Sequence, residues 1–337
     1  MRSVGFMVRR VAVKSHGLTV LWFPLLCATW LFPAFAAQAQ QKTRQIGVLS
    51  PFLNRENLFF DTLRQEMKTL GYTEGKNISY VHRAAEDFDA LAKDAAEMVQ
   101  LKVDLIVTEG PQGVRAARNA TASTPIVMAN IGDAVNQGFV GTLAKPGGNV
   151  TGLSSLNSEL SGKRLELLKD TLPGLSRVAI MREAVGDANP LRTIESAAQA
   201  LSLKLLVFQV RDGEEIASAF SAMTTSKADG IEVLPGSTFV SRMRSVVELA
   251  QSSRLPGIFP DARFVRNGGL ISYGANVVGL YRRAAVYVDK ILKGARPSDL
   301  PVEQPTTFEL VVNLKTAKAL GVKVTPSVLM RASQVIQ

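Results

Sequence analysis

The sequence predicts an α/β protein built as two doubly wound lobes joined by a hinge of three segments. A repeated unit points there first. From Phe88 to Gly110 an amphipathic helix with Leu91, Ala95, Met98 and Val99 on one face leads into the buried strand Val103 to Thr108 and a Gly-Pro turn. The scheme recurs from Glu214 to Gly236, with Ile216, Phe220 and Met223 on the helix, Ala228 to Leu234 as the strand and Pro235-Gly236 as the turn. Between the copies lies Lys145-Pro146-Gly147-Gly148-Asn149-Val150-Thr151-Gly152-Leu153, where a proline bend and paired glycines turn the chain and an extended run leaves it. We read this stretch as the end of the first lobe and the first crossing into the second. An ordinary αβ turn within a single sheet is the rival reading, outweighed by the repeat on either side.

The chain opens with Arg2, Arg9, Arg10 and Lys14 and no acid, followed by an apolar run from Leu18 to Ala37 that contains Pro24 and Pro33. Ala37-Gln38-Ala39 then forms a small-x-small cleavage signature, so residues 1–39 are expected to be a secretory signal and the product periplasmic. Two prolines and a polar continuation weaken the alternative of a permanent membrane helix. The only cysteine, Cys27, falls inside this run, so the mature chain would have no disulfide and no thiol chemistry. Cleavage would leave 35 basic against 29 acidic residues, a net charge of +6 rather than +10, scattered as on a solvated surface. Nucleic-acid binding would want a clustered stripe, and Arg282-Arg283 or Arg242 with Arg244 are too short for one.

After the signal, Gln45 to Ser50 reads as a buried strand and Glu56 to Leu70 as a helix stopped by Gly71, the opening of a doubly wound parallel sheet. Further strands are expected at Asn77 to Val81, Asp104 to Thr108 and Ile126 to Asn130. Ligands of such sheets sit beyond the carboxyl ends of the strands, which singles out Ser50 to Asn54, Thr108 to Gln112 and Asn130 to Asp133. In the second half, a helix from Ser158 to Leu172 carries Leu160, Arg164, Leu167 and Leu168 at helical spacing. Strands follow at Arg177 to Arg182, Lys204 to Val210, Gly230 to Leu234, Leu255 to Pro260 and Leu270 to Tyr273. Their rim loops are Arg182-Glu183-Ala184, Pro235-Gly236-Ser237 and Asp261-Ala262-Arg263. A helix to Leu292, a proline-spaced linker from Pro297 to Pro305, the strand Phe308 to Val312 and a capped helix from Asn313 to Gly321 complete the chain. Two more crossings at about 274 and 305 give lobe 1 as 40–153 plus about 275–305, and lobe 2 as 154–274 plus about 306–337. Such a hinge serves closure over a ligand.

Six stretches, taken in order, carry a resemblance: Arg44 to Pro51, Asp104 to Thr108, Lys145 to Leu153, Ser161 to Lys169, Gly268 to Gly274 and Asn313 to Gly321. Together they resemble the ABC-transporter substrate-binding proteins of type I periplasmic-binding-protein fold, in the branch linked to tryptophan- or tyrosine-like ligands. The resemblance covers essentially the whole mature chain. It implies two Rossmann-like lobes, a small-molecule ligand in the cleft, and delivery to an inner-membrane permease with its ATPase; a monomer without a cofactor is expected.

The sequence departs from that family where the ligand would sit. The Gly-Thr-Pro common after the third strand reads Gly110-Pro111-Gln112, the Asp-Pro after the fourth reads Asp133-Ala134, and the acid often found after Leu-Pro in the second lobe is replaced by Gly236 or Ser237. With the threonine and that acid missing, a small carboxylate is favoured over a zwitterionic amino acid. Free amides of the turn Gly110 to Gly113, before a helix from Val114 to Ala120, would attract the anion. The candidate ligand-binding residues are Ser50, Phe52, Gly110, Pro111, Gln112, Asp133, Arg182, Gly236, Ser237 and Tyr273. Phe52 and Tyr273 would offer stacking faces and Arg182 a second anion contact. Blander readings stand beside these: Asp133 as a loop or capping residue, Tyr273 as a core aromatic, Arg182 as a surface ion pair with Glu183, and His82 as inert.

Enzyme chemistry finds little support. Ser161-Gly162-Lys163 lacks the upstream glycine of a phosphate loop, no Gly-x-Ser-x-Gly elbow occurs, and one mature histidine without cysteine leaves little for metal or triad chemistry; carboxylate-only catalysis stays open, though nothing pairs the acids. A sensory receptor of the same fold, presenting its ligand to a membrane partner, is the alternative to transport.

Overall fold

The computed structural model describes residues 43–51, 57–85, 87–184 and 189–337, with 189 and 190 as backbone only. The expected signal segment and Phe52 lie outside the described residues. In the first lobe β1 (Arg44–Ser50), β2 (Ile78–Ala84), β3 (Leu105–Thr108), β4 (Ile126–Ile131) and β5 (Val150–Ser154) alternate with α1 (Leu58–Thr69), α2 (Phe88–Gln100) and α3 (Gly110–Ala120). The central strands are continuous apolar runs because helices cover both faces of a parallel sheet, and β3 is buried along its whole length. Asn57 starts α1 by accepting from the Phe60 amide at 3.0 Å, and Asp87 starts α2 by accepting from Ala90 at 2.8 Å. Each helix then buries the stripe its spacing dictates, Phe59, Leu63 and Met67 on α1 and Leu91, Ala95 and Met98 on α2.

The second lobe begins with α4 (Ser161–Thr171) and β6 (Arg177–Glu183), followed by α5 (Asn189–Ala200), β7 (Lys204–Val210), α6 (Glu215–Thr225) and β8 (Gly230–Val233). It continues through α7 (Ser237–Ser241), α8 (Met243–Ser252), β9 (Gly257–Phe259), α9 (Ala262–Arg266) and β10 (Ile271–Ala275). The chain then returns to the first lobe as α10 (Val277–Leu292), whose Tyr281 and Val288 join Ile46 and Phe59 in one core cluster. Finally β11 (Phe308–Asn313), α11 (Leu314–Leu320), α12 (Pro326–Arg331) and β12 (Gln334–Ile336) complete the second lobe's sheet.

The first sheet runs β2-β1-β3-β4-β5 and the second runs β7-β6-β8-β9-β10 before β11 and β12 extend it. The two orders are the same. Consequently β3 and β8, the strands of the repeated unit, hold equivalent central places, each beside the point where strand order reverses and where such sheets bind ligands. All pairings are parallel except β10 with β11, since the passage through α10 brings the chain back in the opposite sense.

Three chain passages join the lobes: after β5, between β10 and α10, and from α10 to β11. The third leans on the end of β5. Leu153 bridges Glu303, with Ser154 N donating to Glu303 O at 2.9 Å and Glu303 N to Gly152 O at 3.0 Å. The Arg283 guanidinium grips the Glu303 carboxylate through two 2.6 Å bonds.

Some readings from sequence change. Val150 to Leu153 belongs to the last strand of the first sheet, and the passage follows it. Gly152 is required there, since at φ +137° a side chain would start 2.1 Å from the Met128 carbonyl oxygen of β4. Helix α3 starts at Gly110 rather than Val114, because Pro111 suits a first helical turn and so cannot mark a turn ahead of it. The C-terminal α12 and β12, too short for a periodic signal, went unread.

Candidate functional site

Where the strands of both lobes end at their switch points, a cleft encloses about 120 Å³, several times what one water needs on that measure. Its first wall is the start of α3 with the loop after β4. Its second wall is the ends of β6, β8 and β9, and Asn157, Ser155 and Ser158 of the first passage close one side. Leu234, Pro235, Val240 and Pro260 supply apolar surface.

The second wall is organised around Glu183. Its Oε1 accepts from the Thr238 amide at 2.7 Å and from the Ser237 hydroxyl at 3.2 Å. Position 236 has to be glycine for this, because a side chain there would begin 2.7 Å from the Glu183 carboxyl carbon. A carboxylate from β6 thus stands on the cleft beside positions 236 and 237, neither of which is acidic. Asp261, which caps α9, is held by Arg263 through Nε at 3.1 Å and Nη2 at 2.8 Å, a bidentate pair at the cleft. Burial lowers the basicity of Arg263, but Asp261, Tyr281 and Glu109 outweigh it and keep the guanidinium charged.

Glu109 heads the first wall. It occupies the cap position of α3 without a side-chain capping bond, only 4% exposed, and its Oε2 accepts a hydrogen bond from the Tyr281 hydroxyl. Burial pushes its carboxyl up to about 7, against the opposing pull of Arg263 and the Tyr281 bond. One turn on, Gln112 Nε2 donates to Ser237 Oγ and so joins α3 to α7 across the cleft. The amides at the start of α3 therefore share their surroundings with a carboxyl group, so this end is not the simple anion site that Gly110 to Gly113 suggested.

Beneath the cleft, Arg164 and Glu232 are both fully buried, Nε to Oε1 at 3.4 Å. Arg164 also donates to the carbonyls of Asn157 at 2.5 Å and Tyr273 at 3.2 Å and to Ser161 Oγ at 3.1 Å. One guanidinium thus fixes the first passage and the end of β10 together. Burial lowers the Arg164 pKa and raises that of Glu232, because a single long contact does not offset desolvation of either charge.

Of the residues singled out from sequence, Gly110, Pro111, Gln112, Arg182, Gly236 and Ser237 line the cleft. Arg182 donates through Nε to the backbone carbonyl of Glu183 at 3.2 Å, not to its carboxylate. Ser50, Asp133 and Tyr273 do not line it. Ser50 is buried at the end of β1, bonded by Asn57 at 3.1 Å, with His82 Nε2 at 3.4 Å. Asp133 caps its own turn by accepting from the Asn136 amide at 3.0 Å. Tyr273 packs on Phe308 with ring centroids 5.9 Å apart, as a core aromatic of the second lobe. His82, read as inert, is half-buried, stacked on Phe60 at 4.5 Å and bonded to Asn57 at 2.9 Å, and burial lowers its pKa.

Reading from sequence missed Glu109, Arg115, Asn157, Glu183, Asp261 and Arg263, all of which line the cleft. The signal was present, since Glu183, Asp261 and Arg263 lie in the rim loops and Glu109 in a strand end already singled out. Three arginines (Arg115, Arg182, Arg263) and three acids (Glu109, Glu183, Asp261) line the cleft, Arg263 and Asp261 as a pair. Among the described residues no group of three or more His, Cys, Asp or Glu is placed to hold a metal.

A family model described as ABC transporter substrate binding protein matches residues 57–336. The tyrosine-binding protein of Clostridioides difficile (strain R20291) is 28% identical over 256 residues, covering 75% of this chain and 73% of that protein. Among solved structures, an ABC domain in complex with L-Trp from Streptococcus pneumonia is 29% identical, with a TM-score of 0.80 over 88% of this chain and 100% of that one. The ligand-free, open structure of a substrate binding protein with adhesive properties from Clostridium difficile, 25% identical and covering 88% of this chain and 100% of that one, reaches 0.62. The TM-score is thus higher to the L-Trp complex than to that open structure. In sequence and in fold, the chain belongs to the ABC transporter substrate binding protein family.

Proposed function

We propose that this chain is the exported solute-capturing component of an ABC import system and that its ligand is a zwitterionic amino acid with an aromatic side chain. The observation that carries the ligand class is the placement of Glu183. Its carboxylate fills the space vacated at Gly236, so the second lobe offers an acid to an ammonium group although positions 236 and 237 have none. Arg182 and Arg115 lie on the same cleft for the carboxylate, and apolar wall residues take the side chain. This departs from the preference for a small carboxylate drawn from sequence, which rested on the missing threonine after the third strand and the missing acid after Leu-Pro; Glu183 offers a substitute for the second. The tyrosine-binding relative and the L-Trp complex support the aromatic part.

Micromolar capture requires about 8 kcal/mol, of which charge-assisted bonds at about 1.5–3 kcal/mol each supply a part and apolar burial the rest. Export, a periplasmic location and delivery to a permease with its ATPase rest on the basic and apolar opening of the chain and on the family. Calorimetric titration with L-tryptophan, L-tyrosine and their deaminated acids tests the ligand class. The amino acids should bind and the deaminated acids should compete poorly; equal or tighter binding of the deaminated acids overturns the reading. The intact mass of the secreted form should lack residues 1–39, and a product retaining Trp22 and Trp30 would overturn export with cleavage.

A further inference from the structure

Glu109 stands at the head of α3 on the cleft, only 4% exposed, and its two oxygens are differently placed. Oε2 accepts the hydrogen bond from the buried Tyr281 of α10. Oε1 is bonded by none of the described residues, yet it is not one of the unpaired side-chain oxygens without surface, which belong to Gln112, Asn157, Glu232 and Ser272. It therefore keeps surface, and the space that Glu109 lines is the cleft. An unpaired polar group this deep calls for a partner.

A charged carboxylate would be poorly served here. From α10 it meets the neutral Tyr281, and from the edge between β9 and α9 it meets Asp261, which repels it, and Arg263, whose ion pair is with Asp261. Arg115, on its own helix, is exposed. Nor does the side chain take an amide of α3. A buried carboxyl so surrounded holds its proton, in keeping with its rise to about 7. Because Oε2 is engaged as an acceptor, the proton falls to Oε1, which then presents an O–H to the cleft. Beside it, the first amides of the eleven-residue α3 have no partner within their helix and favour an anion. We infer that Glu109 Oε1 donates a hydrogen bond to the ligand's carboxylate and is the first lobe's contact for that group. The assignment rests on the amino-acid reading above only in requiring a carboxylate. Its consequence is proton-linked capture. The complex holds the proton more tightly than the free protein does, so binding draws a proton from solvent and affinity falls as pH rises.

Calorimetric titration of the unaltered protein with L-tryptophan at pH 6 and pH 8.5 tests this, with tryptamine, which lacks the carboxylate, as the comparison. Affinity for L-tryptophan should drop about tenfold or more across that range. Titration at pH 7 in two buffers of different ionisation enthalpy should show net proton uptake. Neither measurement needs a variant, so a folding defect cannot hide the result. Glu109→Gln, which cannot titrate, should flatten the profile and abolish the uptake; a slope retained in that variant overturns the assignment, since another group would then carry the proton. An affinity that stays level or rises with pH, or a net release of protons, overturns it too, because Glu109 would then be ionised and suited to the ammonium. If tryptamine binds as tightly as L-tryptophan, or neither binds, the amino-acid reading falls and takes this assignment with it. If L-tryptophan is preferred and its affinity does not fall with pH, only the role of Glu109 falls.

Discussion

The two walls of the cleft are held in different ways. Glu183 and Asp261 of the second lobe take their hydrogen bonds from Thr238, Ser237 and Arg263, all of that same lobe, so the wall keeps its shape whether the cleft is open or shut. On the first lobe, Gln112 has its partner across the cleft, and Glu109 owes part of its environment to Arg263 on the far side. Opening would release Gln112 and solvate Glu109 while leaving the opposite wall intact. One lobe therefore presents a preorganised surface, and the other completes it on closure, as a domain-closure mechanism requires.

The largest effect should come from undermining the preorganised wall. Arg164→Met strands the buried Glu232 charge and orphans the carbonyls of Asn157 and Tyr273, and removing one partner of a buried pair costs about 3–5 kcal/mol. Denaturant unfolding measures this. Glu232→Gln is the control. It breaks the same pair but leaves the bonds from Arg164 to the two carbonyls in place, and should therefore cost less. Equal losses for the two variants would mean that the pair, and not the network of carbonyls around Arg164, carries the stability.

The next effect is the pH dependence that the other wall contributes through Glu109. Glu109 is raised in the folded protein from an ordinary carboxyl value of 4.5 to about 7. The native state then holds its proton more tightly than the unfolded chain does. Its contribution is complete below about pH 4.5 and is lost as pH rises through 7, an amount of about 3 kcal/mol. Glu109→Gln should remove that slope. Wild type and variant should melt alike near pH 4.5, and the variant should be the more stable at pH 8. A difference that does not vary with pH would place Glu109 in solvent, and with it an open cleft in the free protein.

How much of this was legible in the sequence depended on whether one element or two carried the signal. Strands such as β3 and β7 were read close to their ends because burial on both faces, or plain alternation, is written within the segment itself. The equal strand order of the lobes was foreshadowed by the repeat around β3 and β8. The rim loops were found as well, since strand ends follow from the strands. What one segment cannot tell is which residue of a rim loop faces across. From sequence Glu183 reads as a surface ion pair with its neighbour Arg182, whereas it reaches Ser237 and Thr238, more than fifty residues on, through space that only a glycine at 236 leaves free. Arg164 did carry a local warning, an arginine on the apolar face of its helix, and Glu232 another, an acid inside a buried strand. Each reads as an exception alone, and the pair becomes an explanation only when the fold brings them together.

The smallest effect is on the contact between the walls. Ser237→Ala deletes the acceptor of Gln112 and one of the donors to Glu183, while Thr238 still holds that carboxylate at 2.7 Å. The fold should therefore be unharmed and closure should weaken by one hydrogen bond, about 0.5–1.5 kcal/mol. That amounts to a two- to tenfold drop in affinity, roughly, if closure and binding are linked. Small-angle scattering separates closure from simple contact loss. The unaltered protein should show a smaller radius of gyration with saturating L-tryptophan than without. Ser237→Ala should reach the same compact radius, only at higher ligand concentration, because the ligand shifts a population and the serine sets where that population starts. A radius that does not change in the unaltered protein at saturation would sink closure altogether. A variant that binds as tightly as the unaltered protein would show instead that the bond from Gln112 adds nothing to the closed state.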